Sequence, residues 1–208
     1  MKEPESSEAF IQRQKEILAE NPECANSQYN IGVVLMKEGR LDEAIKAFDE
    51  AIANSARMFE AFVNLGYIYF SRGEVEKVLD VNKRAVELEP RYARGYANIG
   101  FAYLQMGRSD EAIEALKMAV ELNPDIVQAY ANLVSAYLQK GEIETAVATG
   151  ESLVAKAPDF ALGQNNLASA YYMKGDFAKA VKHLDKAVAL GFDPHPLFLE
   201  KLKAYRTA

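Results

Sequence analysis

An all-α stack of helical hairpins is the fold class this sequence predicts, on three observations. The 34-residue stretch 93–126, ARGYANIGFAYLQMGRSDEAIEALKMAVELNPDI, recurs on both sides with no insertion. Sliding the chain by 34 aligns Gly39, Gly73, Gly107, Gly141 and Gly175, and it also aligns Asn30, Asn64, Asn98, Asn132 and Asn166. Inside the stretch, Tyr96, Ile99, Gly100 and Tyr103 fall at i, i+3, i+4 and i+7 before Gly107; Ala112, Ile113, Leu116, Ala119 and Val120 repeat that helical spacing before Asn123-Pro124. Two amphipathic helices per fixed period mark units that bury their apolar faces by stacking on one another.

Taken in order, residues 1–7 read as an acidic lead without regular structure. From Glu8, the residues Phe10, Ile11, Gln14, Ile17 and Leu18 share one helix face, and Asn21-Pro22 closes the helix as Asn123-Pro124 does in the central copy. Residues 8–22 are therefore half a repeat, a second helix without its first, expected to pack on the helix around Asn30 and cap the stack. Full repeats follow at 25–58, 59–92, 93–126, 127–160 and 161–194. Each carries Gly at its fifteenth place, where a helix ends on a residue of positive φ that only Gly adopts without a Cβ clash. The eighth places hold Gly32, Gly66, Gly100, Val134 and Ala168, and the twentieth places hold Ala44, Val78, Ala112, Ala146 and Ala180. Small side chains there let the two helices of a hairpin approach closely. At the end, residues 193–208 predict a capping helix with Asp193 as its cap and Pro194 in first position. Phe198, Leu199, Leu202 and Tyr205 would line its inner face, with Lys201, Lys203 and Arg206 outside. The whole, 1–208, reads as one domain.

Composition narrows function. The 208 residues carry a formal charge of -6 and no basic run, which argues against nucleic acid, whose binders release counterions from a basic face. No stretch reaches the apolar length of a membrane span, the start resembles no secretory signal, and the single Cys24 allows neither an intrachain disulfide nor a thiolate metal cluster. A cytoplasmic compartment is the expectation. No nucleophile, base or metal set converges: His183 and His195 stand apart, His183 reading as an exposed polar residue, and pairs such as Glu111 and Glu114 are solvated helix faces. The expectation is a protein without catalysis, cofactor or metal.

The residues Tyr96, Ile99, Gly100, Tyr103, Ala112, Leu116, Ala119 and Pro124 occupy the eight places that define the tetratricopeptide repeat, and the chain resembles that family over nearly its full length. Other copies depart locally: Asn82 and Gly150 stand for the large apolar residue, Ala56 and Phe192 for the closing Pro, and Gln164 for the leading aromatic, departures expected to weaken their hairpins. The resemblance implies a right-handed superhelical α-solenoid whose first helices line a concave groove. It places Asn30, Asn64, Asn98, Asn132 and Asn166 in that groove as a ladder, joined by Tyr67, Phe70, Phe101, Leu104, Leu138 and Tyr172, and by Arg94. A ladder of this kind is similar to the one in the repeat domain of O-linked N-acetylglucosamine transferases, whose catalytic domain has no counterpart here. The carboxylate clamp of chaperone adaptors is not reproduced, since only Asn64 and Arg94 of its set survive.

Asn in a helix costs roughly 0.5 kcal/mol against Ala, so five of them call for a return, and an amide can donate to and accept from a peptide backbone at once. First helices about 10 Å apart would meet roughly every third residue of an extended chain. The expected function is a non-enzymatic adaptor binding an extended peptide segment of a partner protein. The alternative is a self-assembling scaffold that uses the N-terminal helix or the convex surface.

Overall fold

The computed structural model describes residues 6–206, and among them all regular structure is helical. The acidic lead expected at 1–7 lies outside the described residues as far as Glu5. Ser6 and Ser7 are ordered by a local bond: Ser6 is an N-cap whose side chain accepts from the Ala9 N–H at 3.2 Å, satisfying one of the free donors at a helix start.

The helices fall into two compact units, Met1–Arg91 and Tyr92–Ala208. The first holds α1 (Ser7–Glu20), α2 (Ala25–Lys37), α3 (Leu41–Asn54), α4 (Phe59–Ser71) and α5 (Val75–Leu88). Here α1 packs on α2, α2 on α3, α3 on α4 and α4 on α5, so the half repeat does cover the first full hairpin. Ile11 and Gln14 of α1 are buried, while Ile17 is 40% exposed. The second unit holds α6 (Ala93–Gln105), α7 (Ser109–Leu122), α8 (Val127–Lys140), α9 (Ile143–Lys156), α10 (Ala161–Lys174), α11 (Phe177–Ala189) and α12 (Pro196–Lys203). In it α8 packs on α6, α7, α9 and α10, and one core runs from Leu116 through Val134 and Leu167 to Leu184 and Leu202.

The repeating Gly residues do what their spacing predicts. Gly107 has φ +72°, its N–H bonds Leu104 O at 3.1 Å, and the next N–H, of Arg108, reaches back to Tyr103 O at 2.9 Å. These paired bonds close a helix through a left-handed residue. The same pair recurs at Gly39, Gly73, Gly141 and Gly175.

Close approach within a hairpin follows a small-against-large rule. A Cβ on Gly32 would lie 2.7 Å from Phe48 of the partner helix, one on Gly66 3.0 Å from Asn82, and one on Gly100 against Leu116. In α8–α9 the order is inverted, with fully buried Val134 on the first helix and Gly150 on the second. Gly150 leaves no void: a Cβ there would meet Leu167 Cδ1 of α10 at 2.9 Å. The departures Asn82 and Gln164 do not leave unsatisfied groups behind either. Asn82, 1% exposed, donates to Val78 O at 2.8 Å, and Gln164, 1% exposed, donates to Pro158 O at 2.8 Å. Among the described residues no buried side-chain polar atom lacks a partner.

The last helix begins two residues later than its sequence suggests. His195 precedes Pro196, which holds it in extended backbone (φ -54°, ψ 130°), so no helix can run from Pro194 through this point. His195 replaces Asp193 as the cap, its Nδ1 accepting from the Leu197 N–H at 3.2 Å. Leu202 is fully buried, and Tyr205 stacks on Phe177 at 4.0 Å.

Candidate peptide-binding surface

The repeated Asn residues sit on the first helices α2, α4, α6, α8 and α10, where the 34-residue period puts them, and four of them have their bonds defined. In the first unit, half-buried Asn30 donates to Gln14 Oε1 of α1 at 3.4 Å, and half-buried Asn64 donates to Tyr29 Oη of α2 at 3.3 Å. In the second, Asn132 and Asn166 are each 9% exposed. Asn132 Oδ1 accepts from Gln128 at 3.3 Å; Asn166 donates to Ala131 O at 3.0 Å and to Ser135 Oγ at 3.1 Å, both on α8. Asn98 is half-buried on α6. Where an Asn reaches off its own helix, it reaches the helix of the preceding repeat. A net hydrogen-bond contribution of about 0.5–1.5 kcal/mol offsets the propensity cost of Asn, so Asn30, Asn64 and Asn166 bridge to the preceding repeat whether or not a ligand is present, while Asn132 is bonded within α8.

The apolar candidates separate by exposure. On α4, Tyr67 is 66% exposed and Phe70, one turn on, 49%. On α6, Phe101 is half-buried and Leu104 is 6% exposed, which makes Leu104 a core residue rather than a surface one. Leu138 and Tyr172 are half-buried, and Tyr172 packs against Phe177 and Phe198 with ring centroids 5.5 Å and 5.7 Å away. Arg94 is exposed at the start of α6. Four exposed apolar residues are not singled out by the sequence, Met118 at 40%, Val188 at 44%, Met173 at 53% and Leu197 at 66%. Met173 follows Tyr172 at another first-helix surface place, and that position was the available signal.

His183 is not the exposed polar residue its KHLDK surroundings suggest. Its Nδ1 lies 2.8 Å from Gln164 Oε1, and its ring stacks on Tyr171 with centroids 5.6 Å apart. Because the Gln164 amide donates to Pro158 O, its oxygen faces the histidine, and Nδ1 carries the proton. Burial pulls the imidazole below the ordinary histidine range, with Lys182 and Lys186 acting in the same sense. Tyr171 in turn donates to Glu151, and its burial, then that bond, push the phenol up to about 12. This network of α9, α10 and α11 fills the place of the missing aromatic at 164. Among the described residues no group of three or more His, Cys, Asp or Glu is placed to hold a metal ion. Nor is any described helix long and apolar enough to cross a membrane.

Hairpins of two helices at a constant period, each closed by a left-handed Gly and packed small against large, define a helical-repeat protein of the kind that presents surfaces to other proteins. Models of the tetratricopeptide repeat match residues 15–58, 93–126 and 161–191, and a further TPR repeat model matches 66–107. The chain belongs to the tetratricopeptide-repeat family, whose members are protein-interaction modules. No curated protein matches it. Among solved structures, YrrB, described as a TPR protein with an unusual peptide-binding site, is 21% identical with a TM-score of 0.78, over 96% of this chain and 100% of that one. MamA is 28% identical with a TM-score of 0.72, over 77% and 94%. A tetratricopeptide repeat protein from Parabacteroides merdae is 18% identical with a TM-score of 0.72, over 97% and 80%.

Proposed function

We propose that the protein is a non-enzymatic adaptor that holds an extended peptide segment of a partner protein on the exposed faces of its first helices. One observation carries this reading: Tyr67, 66% exposed on α4, with Phe70 at 49% one turn away, presents aromatic surface to solvent. Aromatic side chains left in water gain most from being covered, and they anchor interfaces at low entropic cost. Asn64 lies on the same helix and spends one N–H on Tyr29, keeping an oxygen and a second N–H for a peptide backbone. In the second unit, Asn98, Phe101, Leu138, Tyr172 and Arg94 join them, with Asn132 offering its N–H groups and Asn166, whose two N–H groups are spent on Ala131 O and Ser135 Oγ, offering its oxygen; Leu104 belongs to the core beside Phe101. The description of YrrB as having a peptide-binding site supports the capacity of the fold and nothing finer.

The test is a peptide-library binding screen on the full chain. Tyr67→Ser/Phe70→Ser changes only exposed side chains, so the melting temperature should hold while affinity for the selected peptides falls about tenfold or more. Unchanged binding by the folded double variant would remove this surface from the function. The second reading is a scaffold that self-assembles through α1 or the convex surface, favoured by Ile17, an apolar side chain 40% exposed on α1. Light scattering separates the two, since a monomer at every concentration sinks the scaffold.

A further inference from the structure

The largest apolar exposure of the second unit lies at its carboxyl-terminal end. Tyr172 and Met173 of α10 and Leu197 and Phe198 of α12 wall a cavity of about 370 Å³. Its floor is fixed, because Phe198 meets Tyr172 edge-on at 5.7 Å and Leu202 anchors α12 in the core. Its mouth is apolar and wet, with Met173 53% and Leu197 66% exposed.

Ser169, Lys201 and His195 complete the lining; the Ser169 hydroxyl proton is spent on Asn165 O at 3.1 Å, which leaves Lys201 and His195 as the donors. Three cations follow one another along the last helix and its end, and two are neutralised: Lys203 lies 3.8 Å from Glu200, and Arg206 pairs with Asp185. Lys201 is in no ion pair with a described residue; its Nζ sits 5.9 Å over the Tyr172 ring, against the cavity wall. The His195 Nδ1 is used in capping α12, so in the neutral ring the proton is on Nε2 and that edge is a donor. Apolar walls beside one full positive charge and one N–H complement an apolar side chain with a carboxylate next to it. The chain as a whole carries -6, so a merely acidic ligand is repelled, and the apolar anchor is needed as well.

We infer that this cavity is a specificity pocket, taking one apolar side chain of an extended partner segment while Lys201 pairs with a glutamate or aspartate side chain one or two residues away. The inference rests on the adaptor reading above. A side-chain carboxylate is favoured over a chain terminus because the donors are a flexible ammonium and one imidazole N–H. Neither a backbone nest nor an arginine fork, two common captors of a terminal carboxylate, lines this cavity, and the asparagine partners of a carboxylate clamp are absent from its lining.

The experiment is fluorescence anisotropy on the full chain with labelled, amidated glycine–serine peptides that carry phenylalanine followed by two glutamates, phenylalanine followed by two glutamines, or alanine followed by two glutamates. A free-acid version of the glutamine peptide is the fourth probe. The first peptide should bind about tenfold tighter than each of the other three, and Lys201→Glu and Leu197→Ser, both at exposed positions, should each remove most of that preference with unchanged melting. Equal binding of the glutamate and glutamine peptides, indifference to Lys201→Glu, or binding of the free acid alone overturns the inference. If library peptides bind and depend on Tyr67 and Phe70 but show none of these preferences, the pocket falls and the adaptor stands; if no peptide binds, both fall.

Discussion

Gly150 offers the sharpest test of how the hairpins are packed. Read from sequence, it stands where sister repeats carry Phe48, Leu116 and Leu184, so Leu there stabilises the chain if the space is open and overpacks it if the space is filled. The structure decides for the second, because Leu167 of α10 already occupies the space: a Cβ at 150 would sit 2.9 Å from Leu167 Cδ1 and 3.3 Å from its Cβ. Gly150→Leu gains about 0.8 kcal/mol of helix propensity and costs about 1–3 kcal/mol in overpacking. The net is a loss of about 0.2–2.2 kcal/mol, or roughly 1–9 °C in melting temperature for a unit of this size. Leu167→Ala alone should cost about 2–5 kcal/mol by opening a cavity. Combined, the two should destabilise less than their sum, since the new Leu enters the space the old one left. Urea melts of the wild type, both singles and the double complete the cycle. A stabilising Gly150→Leu, or strict additivity, would refute the claim that α10 fills the place of the missing side chain.

Two further outcomes follow from the same contacts. Deleting residues 1–21 removes the cover of Ile11 and the Gln14 oxygen that Asn30 donates to, so the truncated chain should aggregate and melt earlier; equal solubility and melting would make α1 a dispensable tail. His183 should make stability pH-dependent: its folded pKa is depressed, so its contribution is full above the unfolded value of about 6.5 and is lost as pH falls through that value toward the folded one. That slope should vanish in His183→Gln, and melts between pH 7.5 and 5 that overlay for the two proteins would show the ring is not held neutral by its surroundings.

The helices, the hairpin closures and the repeat register were legible because each depends on a local signal that recurs: a 3.6-residue apolar spacing, and a Gly whose left-handed backbone leaves few substitutes. What was not legible depends on side chains meeting across repeats. Nothing in the spacing of Val134 and Gly150 says that Leu167, from the following repeat, closes the gap. Nothing in KHLDK says that His183 finds Gln164 and Tyr171, since the departure at 164 and the histidine lie 19 residues apart on different helices. The start of α12 is legible in the sequence: two prolines alternate at 194 and 196, and the second pushes the residue before it out of helical backbone. Among the candidate residues, Leu104 shares its face with Phe101, and only packing shows that one is core and the other half-exposed.

The bridging asparagines also bear on how a bound segment would be discriminated. Asn166 is fixed by bonds to Ala131 O, Ser135 Oγ and Asn165, so its ordering is complete before any partner arrives. Contacts it makes to a peptide backbone would then avoid the roughly 0.5–1.5 kcal/mol that a freely rotating side chain loses on being immobilised. Backbone contacts are alike for every sequence, so they raise the affinity of all segments together and separate none. Tyr67 and Lys201, both exposed, gain only from a segment that covers the ring or pairs with the ammonium. On the proposed reading, discrimination between partners would fall to the exposed side chains Tyr67 and Lys201, one in each unit, while the asparagines would set the general strength of binding.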